Sequence, residues 1–226
     1  MALKTDEIKG IAFDAYGTLF NIASIDFLLE QVFDDRARQI AAYWRRKQLE
    51  YTWLRTLMGQ YKDFYDITRD ALYYALEATN TSATEAQVAE VMQQYYHLDV
   101  YPEVKTALAQ LREKYRLAIL SNANPSLLEK AVAHNGLEEL LDAIISADQI
   151  HQYKPVPGIY RLAEEGLGFP AKNLLFASSN TWDVAGATAF GLHTVWIHRK
   201  RSVMERLDVK PAITASNLSE LAEMLL

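Results

Sequence analysis

The residue best suited to carry out chemistry is Asp14, which follows the apolar residues 11–13 and precedes a turn that contains Gly17. Such an apolar run is typical of a buried strand of a parallel sheet, which would deliver the carboxylate to an accessible turn. Position 16 is a tyrosine rather than a second acid. A single carboxylate here indicates a nucleophile that works without a metal ion. The alternative is an Asp that only caps a turn between a strand and a helix.

Further polar clusters follow apolar runs in the second half of the chain. They are Ser121-Asn122, Lys154-Pro155 and the stretch 178–183. Ligands of open parallel sheets bind outside the carboxyl ends of the strands. We therefore expect these clusters and Asp14 to lie close together at that edge of the sheet. Each cluster alone also fits ordinary loop and capping chemistry. Their joint placement favours a shared site.

The elements that must position these residues are strands that alternate with helices. Apolar runs predict strands at 8–14, 117–121, 143–147, 174–178 and 194–198. This alternation indicates a parallel sheet built from βα units. Pro102 predicts a helix start with the proline just inside the first turn, and a last helix is predicted at 218–226.

The segment between the first two predicted strands has almost no strand pattern. It predicts amphipathic helices instead, for example at 36–59 and 64–78. We therefore predict an α/β fold in which a Rossmann-like parallel sheet flanked by helices carries an inserted helical cap. The predicted boundaries are 1–19 and 99–226 for the core and 20–98 for the cap.

Composition excludes several classes of protein. The chain has 226 residues, half of them hydrophobic, which suits one α/β domain with an insertion. It has no cysteine, which excludes disulfides and a cysteine nucleophile and predicts a reducing, cytoplasmic location. The charged first residues and the lack of a long apolar run predict neither a secretory segment nor a membrane span. The net charge of −6 argues against a nucleic-acid partner.

The motifs together resemble those of the L-2-haloacid dehalogenases, a branch of the haloacid dehalogenase superfamily. The resemblance covers nearly the whole chain, and its most specific part is the cap run Trp-Arg…Gln-Leu-Glu-Tyr-Thr-Trp-Leu-Arg at 44–55. The other matching segments are Phe13-Asp14-Ala15-Tyr16-Gly17-Thr18-Leu19, Leu120-Ser121-Asn122, Tyr153-Lys154-Pro155 and Ser178-Ser179-Asn180-Thr181-Trp182-Asp183.

The resemblance implies hydrolysis of a carbon–halide bond without a metal or organic cofactor. Short L-2-haloalkanoic acids would become D-2-hydroxy acids with inversion, through a covalent ester on Asp14. A carboxylate suits this step because it attacks as an oxyanion and needs to lose no proton. The departing halide needs preorganised donors, and Arg45 and Asn122 match the family positions for that cradle.

The remaining catalytic roles also come from the resemblance. Ser121 and the backbone N–H groups near Ala15 and Tyr16 match the positions that hold the substrate carboxylate. Asp183 matches the carboxylate suspected of activating water, with Ser178 and Asn180 orienting that water.

Three more residues match positions that support this machinery. Lys154 would balance the two acids, because neighbouring carboxylates repel each other. Thr18 and Tyr160 match positions that hold Asp14 and the neighbouring loop.

The substrate pocket is predicted from apolar positions of the same family pattern. Tyr16, Leu49, Phe64 and Trp182 match its wall, although aromatic residues at helical spacing also suit a plain core. The chain departs from the family pattern at Arg46, where glutamine is expected, and at Ala123-Asn124, where a glycine is usual. We expect Arg46 to contribute to substrate binding and the departures to affect substrate range.

The implied partners are a small 2-haloacid, a halide ion and a second copy of the chain, since the family is often dimeric. Two other functions stay open at this point. A magnesium-dependent phosphohydrolase of the same fold would want a second acid at position 16. A non-catalytic module would bind a small acid without turnover. A dinucleotide-binding dehydrogenase is disfavoured because no Gly-x-Gly-x-x-Gly follows the first predicted strand.

Overall fold

A six-stranded parallel sheet forms the centre of this computed structural model, which describes residues 5–199 and 202–226. Its strands are β1 Gly10–Phe13, β2 Arg116–Ser121, β3 Ala143–Ser146, β4 Leu174–Ser178, β5 His193–Ile197 and β6 Ile213–Ala215. Their order across the sheet is β3-β2-β1-β4-β5-β6. The order reverses between β1 and β4, so the sheet opens its ligand crevice where these two strands end.

Helices pack on the sheet and form the insertion. The insertion contains α1 Ala23–Phe33, α2 Ala37–Leu57, α3 Phe64–Ala78 and α4 Glu85–Gln93. The core contains α5 Val104–Arg112, α6 Pro125–Asn135, α7 Pro157–Leu167, α8 Thr181–Phe190 and α9 Leu218–Leu225. In the described part of the chain, none of the helices combines the length and the apolar character that crossing a membrane requires.

Strand β1 positions Asp14, which directly follows it. All four of its residues are buried, as expected for a central strand covered on both faces. Phe13 pairs with Ile119 of β2 on one side and with Ala177 of β4 on the other. The backbone N–H of Asp14 donates to the Ala177 carbonyl at 2.9 Å, which extends the ladder one residue further. The backbone of Asp14 is therefore fixed by the sheet.

The cap leaves and rejoins the core through two adjacent segments. Phe20 and Val100 form an isolated antiparallel bridge, and the N–H of Tyr101 donates to the Leu19 carbonyl at 3.0 Å. Helix α3 begins at a normal cap, because the Asp63 carboxylate accepts from the N–H of Asp66 at 2.9 Å. The helical insertion is thus present, while its exact boundaries at 19/20 and 98/99 stay a prediction.

The structure confirms most of the predicted elements and corrects some. The helix at 64–78 and the strand at 174–178 have the predicted bounds. The strands predicted at 8–14 and 143–147 are shorter, the one at 117–121 is one residue longer, and the one at 194–198 begins and ends one residue earlier. Pro102 does not lie inside a helix, because it occupies a turn closed by a 3.0 Å hydrogen bond from the Val104 N–H to the Tyr101 carbonyl. Proline suits the second position of such a turn. The short edge strand β6 was not predicted.

Gly186 allows α8 to pack closely against α7. A Cβ atom there would lie 2.5 Å from both Pro155 Cβ and Tyr160 Oη. We expect Gly186→Ala to lower the free energy of unfolding by about 1–3 kcal/mol, because overpacking outweighs the helix propensity of alanine. Urea unfolding at equilibrium measures the difference. An unchanged or higher free energy of unfolding would show that the Tyr160 side chain can move aside without destabilising the fold.

Candidate active site

A cavity of about 410 Å³ lies between the cap and the carboxyl ends of the strands. It brings together many of the predicted site residues from six separate parts of the chain. The predicted residues that line it are Asp14, Tyr16, Arg45, Leu49, Phe64, Ser121, Asn122, Lys154, Asn180 and Trp182.

The two oxygens of the Asp14 carboxylate have different surroundings. Oδ2 accepts from Thr18 Oγ1 at 3.1 Å, Ser178 Oγ at 3.3 Å and Asn180 Nδ2 at 2.8 Å. Oδ1 accepts only from Lys154 Nζ at 3.2 Å, within the part of the chain that the structure describes. Oδ2 therefore orients the group, and Oδ1 is the oxygen available to attack a ligand.

Asn180 shows that this orientation takes precedence over helix capping. It occupies the N-cap position of α8, where asparagine usually accepts a hydrogen bond from the helix backbone. Its side chain makes no such bond, and its amide nitrogen donates to Asp14, so the side chain is oriented toward the carboxylate. Ser178 and Asn180 were predicted to orient a water molecule, and both side chains contact the Asp14 carboxylate directly.

The loop after Asp14 holds Thr18 in place. Gly17 has φ +83°, a left-handed conformation that glycine adopts without steric cost. Thr18 Oγ1 contacts Asp14, and its carbonyl accepts from Arg199 Nε at 3.2 Å and Nη2 at 2.9 Å. Arg199 also contacts Glu103 at 2.6 Å and lies 3.8 Å from the centre of the Tyr101 ring. Arg199 thus stabilises the position of this loop, although it was not predicted as a site residue.

Lys154 lies between the two buried carboxylates. Its Nζ is 3.2 Å from Asp14 Oδ1 and 2.8 Å from Asp183 Oδ2. Burial alone would lower the pKa of Lys154, but the adjacent carboxylates outweigh it and raise that pKa above its usual value. Lys154 is therefore a cation that partly neutralises both acids.

Asp183 lies behind Lys154 and does not line the cavity. Its side chain is fully buried, and Tyr160 Oη donates to its Oδ1 at 2.8 Å. Tyr160 was expected to hold Asp14 and its loop, whereas its hydroxyl contacts Asp183. Burial raises the pKa of Asp183 to about 6, although the Lys154 ammonium opposes the shift. Asp183 is thus ionised at neutral pH and reaches the cavity only through Lys154.

Ser121 and Asn122 form the floor of the cavity. Asn122 Oδ1 accepts from the backbone N–H of Lys154 at 2.9 Å, which directs its amide nitrogen away from that bond. Ser121 Oγ accepts from the N–H of Ala123 at 3.2 Å, so its hydroxyl proton can be donated elsewhere. Both side chains can therefore donate to an anion in the cavity.

The cap supplies one cation of the lining, and residues of the cap and the core together form an apolar wall. Arg45 of α2 lines the cavity and contacts Asp26 of α1 through a single pair of atoms 3.3 Å apart. The wall includes Tyr16, whose ring lies 6.2 Å from Phe64, and Trp182, whose ring lies 5.7 Å from Trp53. An anion with a short apolar substituent fits this combination.

The structure does not bring every predicted residue to the cavity. Ala15, Thr18, Tyr160, Ser178 and Asp183 are fully buried behind the lining residues. Arg46 does not line the cavity, because successive helical residues point about 100° apart and Arg45 takes the inward direction. Arg46 is exposed and lies 5.1 Å from the centre of the Tyr43 ring. The lining residues that were not predicted are Gly17, Ile22, Gln48, Ser179, Thr181, Arg199 and Ser202.

The donor set does not fit a magnesium ion. Magnesium prefers carboxylate oxygens and water, but position 16 is a tyrosine and both oxygens of Asp183 accept from Lys154 or Tyr160. The Lys154 ammonium already occupies the space between the two acids. Within residues 5–199 and 202–226, three or more His, Cys, Asp or Glu side chains nowhere form a group suited to a metal.

Comparison with known proteins gives consistent results. A family model described as haloacid dehalogenase-like hydrolase matches residues 8–191. The chain is 41% identical over 220 residues to (S)-2-haloacid dehalogenase 2 from Pseudomonas sp. (strain CBS-3), which covers 97% of this chain and 96% of that protein.

Solved structures of similar proteins share this architecture. The crystal structure of an L-2-haloacid dehalogenase superposes with a TM-score of 0.94 at 40% identity and covers 96% of this chain and 98% of that one. A second structure is the L-2-haloacid dehalogenase from Xanthobacter autotrophicus with chloropropionic acid covalently bound. It gives a TM-score of 0.90 at 36% identity and covers 96% of this chain and 98% of that chain.

Proposed function

The chain belongs to the family of haloacid dehalogenase-like hydrolases, and we propose that it is an (S)-2-haloacid dehalogenase that converts short L-2-haloalkanoic acids to D-2-hydroxy acids. The observation that carries this proposal is the arrangement of the Asp14 carboxylate. Its Oδ1 accepts from Lys154 alone among the described residues, and Asp14 lines a cavity that Arg45 and an apolar wall also line. The similarity to (S)-2-haloacid dehalogenases over nearly the whole chain supports the same function.

In the first half of the reaction, Asp14 Oδ1 attacks C2 from the face opposite the halogen. A C–O bond forms, the carbon–halogen bond breaks, and the halide leaves with the bonding electrons, which inverts C2. Arg45 and the Asn122 amide stabilise the charge that develops on the halide. Ser121 and the N–H groups near Ala15 and Tyr16 hold the substrate carboxylate, since positioning the reacting atoms supplies much of the rate.

In the second half, water adds to the carbonyl carbon of the Asp14 ester. The bond between that carbon and the substrate oxygen breaks, and the departing alkoxide takes the proton of the carboxylic acid formed on Asp14. The product therefore keeps the original Asp14 oxygen as a hydroxyl, and the new oxygen stays on the Asp14 carboxylate. Asp183 is the final acceptor of the proton that the attacking water loses. Because Asp183 is buried behind Lys154, the ammonium gives a proton to Asp183 Oδ2, and the neutral amine left by that transfer accepts the proton from water. Thr18, Ser178 and Asn180 orient Asp14 throughout, and Tyr160 orients Asp183.

Halide release from each enantiomer of 2-chloropropionate tests this function, in buffer treated with a chelator. We expect chloride and D-lactate from the L enantiomer only, and the same rate when magnesium is restored. p-Nitrophenyl phosphate should give no phosphate under either condition. Phosphate release that depends on magnesium, without chloride release, would instead support the phosphohydrolase. Tight binding of the 2-chloropropionate without turnover would support a binding module.

Three finer properties belong to the same proposal. The absence of cysteine supports a cytoplasmic location. A homodimer is supported by the apolar end of α2, where Leu57 is 83% and Met58 is 60% exposed. Halide is the second product, and Arg45 is its principal binding residue.

A further inference from the structure

Arg45 lies between two cavities. One is the catalytic cavity, and the other is a cleft of about 380 Å³ between α1 and α2. Arg45 lines both, whereas Asp26 lines only the cleft. The residues of this α1–α2 cleft are Asp26, Glu30, Ala37, Arg38, Ala41, Ala42 and Arg45. The Asp26 carboxylate therefore approaches Arg45 from outside the catalytic cavity.

The cations near the catalytic cavity differ in how fully they are engaged. Lys154 contacts two carboxylates, and Arg199 contacts the Thr18 carbonyl twice and Glu103 once. Arg45 makes one contact, from Nη2 to Asp26 Oδ1 at 3.3 Å, among the residues that the structure describes. A guanidinium has five N–H donors, so most of those on Arg45 remain for an incoming anion.

We propose that Asp26 sets the anion affinity of the site by competing with substrate and halide for Arg45. This inference rests on the proposed function, in which Arg45 holds the departing halide. The Asp26 carboxylate and an anion in the catalytic cavity are both attracted to the Arg45 guanidinium, and the two negative charges also repel each other. Asp26 thus weakens the binding of both substrate and halide, and it favours halide release after the carbon–halogen bond has broken.

The strength of the pair suits such competition. The side chain of Arg45 is 38% exposed and that of Asp26 is 44% exposed, so water screens their attraction. Exposed pairs of this kind contribute little to stability and exchange readily. A fully buried pair, such as Lys154 with Asp183, would instead hold its cation permanently. Asp26 can therefore release Arg45 whenever an anion is present.

Asp26→Asn is the direct test, because it removes the charge and keeps the shape. We expect the variant to bind chloride about three- to five-fold more tightly, as measured by the line broadening of chloride-35 in NMR, which needs no turnover. The KM for L-2-chloropropionate and the inhibition constant of bromide should fall by similar factors. The melting temperature should equal that of the wild type within error. If Asp26 had a purely structural role, a change in anion affinity would instead be accompanied by a change in melting temperature.

Asp66→Asn is the matched control. Asp66 forms a comparable exposed pair with Arg69 at 2.7 Å on α3 and does not line either cavity. It should leave chloride affinity and KM unchanged. Equal chloride affinity in Asp26→Asn and in the wild type would overturn the proposal. Lack of halide release by the wild type would overturn the proposed function instead, while the chloride measurement would still decide the role of Asp26.

Discussion

Asp14→Asn is expected to abolish halide release, with a fall in kcat of about 10⁴-fold or more, while the fold stays intact. The amide is nearly isosteric with the carboxylate but is not a nucleophile, so the ester cannot form. Chloride release under saturating L-2-chloropropionate measures the loss. Circular dichroism and the melting temperature check the fold.

A matched variant separates the loss of a nucleophile from the loss of a charge. Asp70→Asn makes the same change on α3, in a half-buried pair with Lys62, and should keep the wild-type kcat. Substantial turnover by purified Asp14→Asn would mean that another group attacks C2. In that case the site would have to be assigned anew.

Lys154→Met should lower both activity and stability. The change leaves Asp14 and Asp183 close together without the cation between them, and like charges in a buried site destabilise each other. We expect kcat/KM to fall by about 10³-fold or more. We also expect the free energy of unfolding at neutral pH to fall by about 3–5 kcal/mol, as is typical when one partner of a buried ion pair is removed.

The pH dependence of this loss has a definite sign. The pKa of Asp183 in the wild type is raised to about 6, above the value expected for an unfolded chain. An acid whose folded-state pKa is raised destabilises the fold fully above that pKa, and the penalty shrinks as the pH falls from that pKa to the lower pKa of the unfolded chain. Without Lys154 the pKa of Asp183 should rise further. The stability difference between Lys154→Met and the wild type should therefore shrink at acidic pH.

Denaturant unfolding at a series of pH values provides this measurement. Lys47→Met is the control, because it removes the same ammonium from a partly buried pair with Glu50 outside the active site. Its effect on unfolding should stay small at every pH. A stability loss in Lys154→Met that grows towards acid pH would contradict the account of Asp183.

The sequence predicted the fold well because its strands carry a strong local signal. The buried strand at 174–178 is marked by a continuous apolar run, and the helix at 64–78 is marked by helical periodicity. Both patterns can be recognised from residues that are close together in the sequence. Strand β6 has only three residues at the sheet edge, one of them exposed, so no such pattern marks it. Pro102 was misplaced because proline suits the turn before a helix as well as its first turn.

Much of the predicted site consists of residues that follow strands, but two such residues and one contact between cap helices were missed. Ser179 and Arg199 also follow strands, and that signal could have identified them. Asp26 meets Arg45 across two cap helices, a contact that no local pattern encodes. The choice between Arg45 and Arg46 depends on the rotation of α2, which the alternation of apolar residues defines poorly in so aromatic a helix.

The covalent ester on Asp14 is the central claim, and isotope transfer from solvent tests it most directly. The enzyme is allowed many turnovers of L-2-chloropropionate in water enriched in oxygen-18, and the proteolytic peptide that contains Asp14 is then weighed by mass spectrometry. The account predicts heavy oxygen in the Asp14 side chain, because each hydrolysis leaves a solvent oxygen there. An unlabelled peptide, recovered while lactate accumulates, would contradict it.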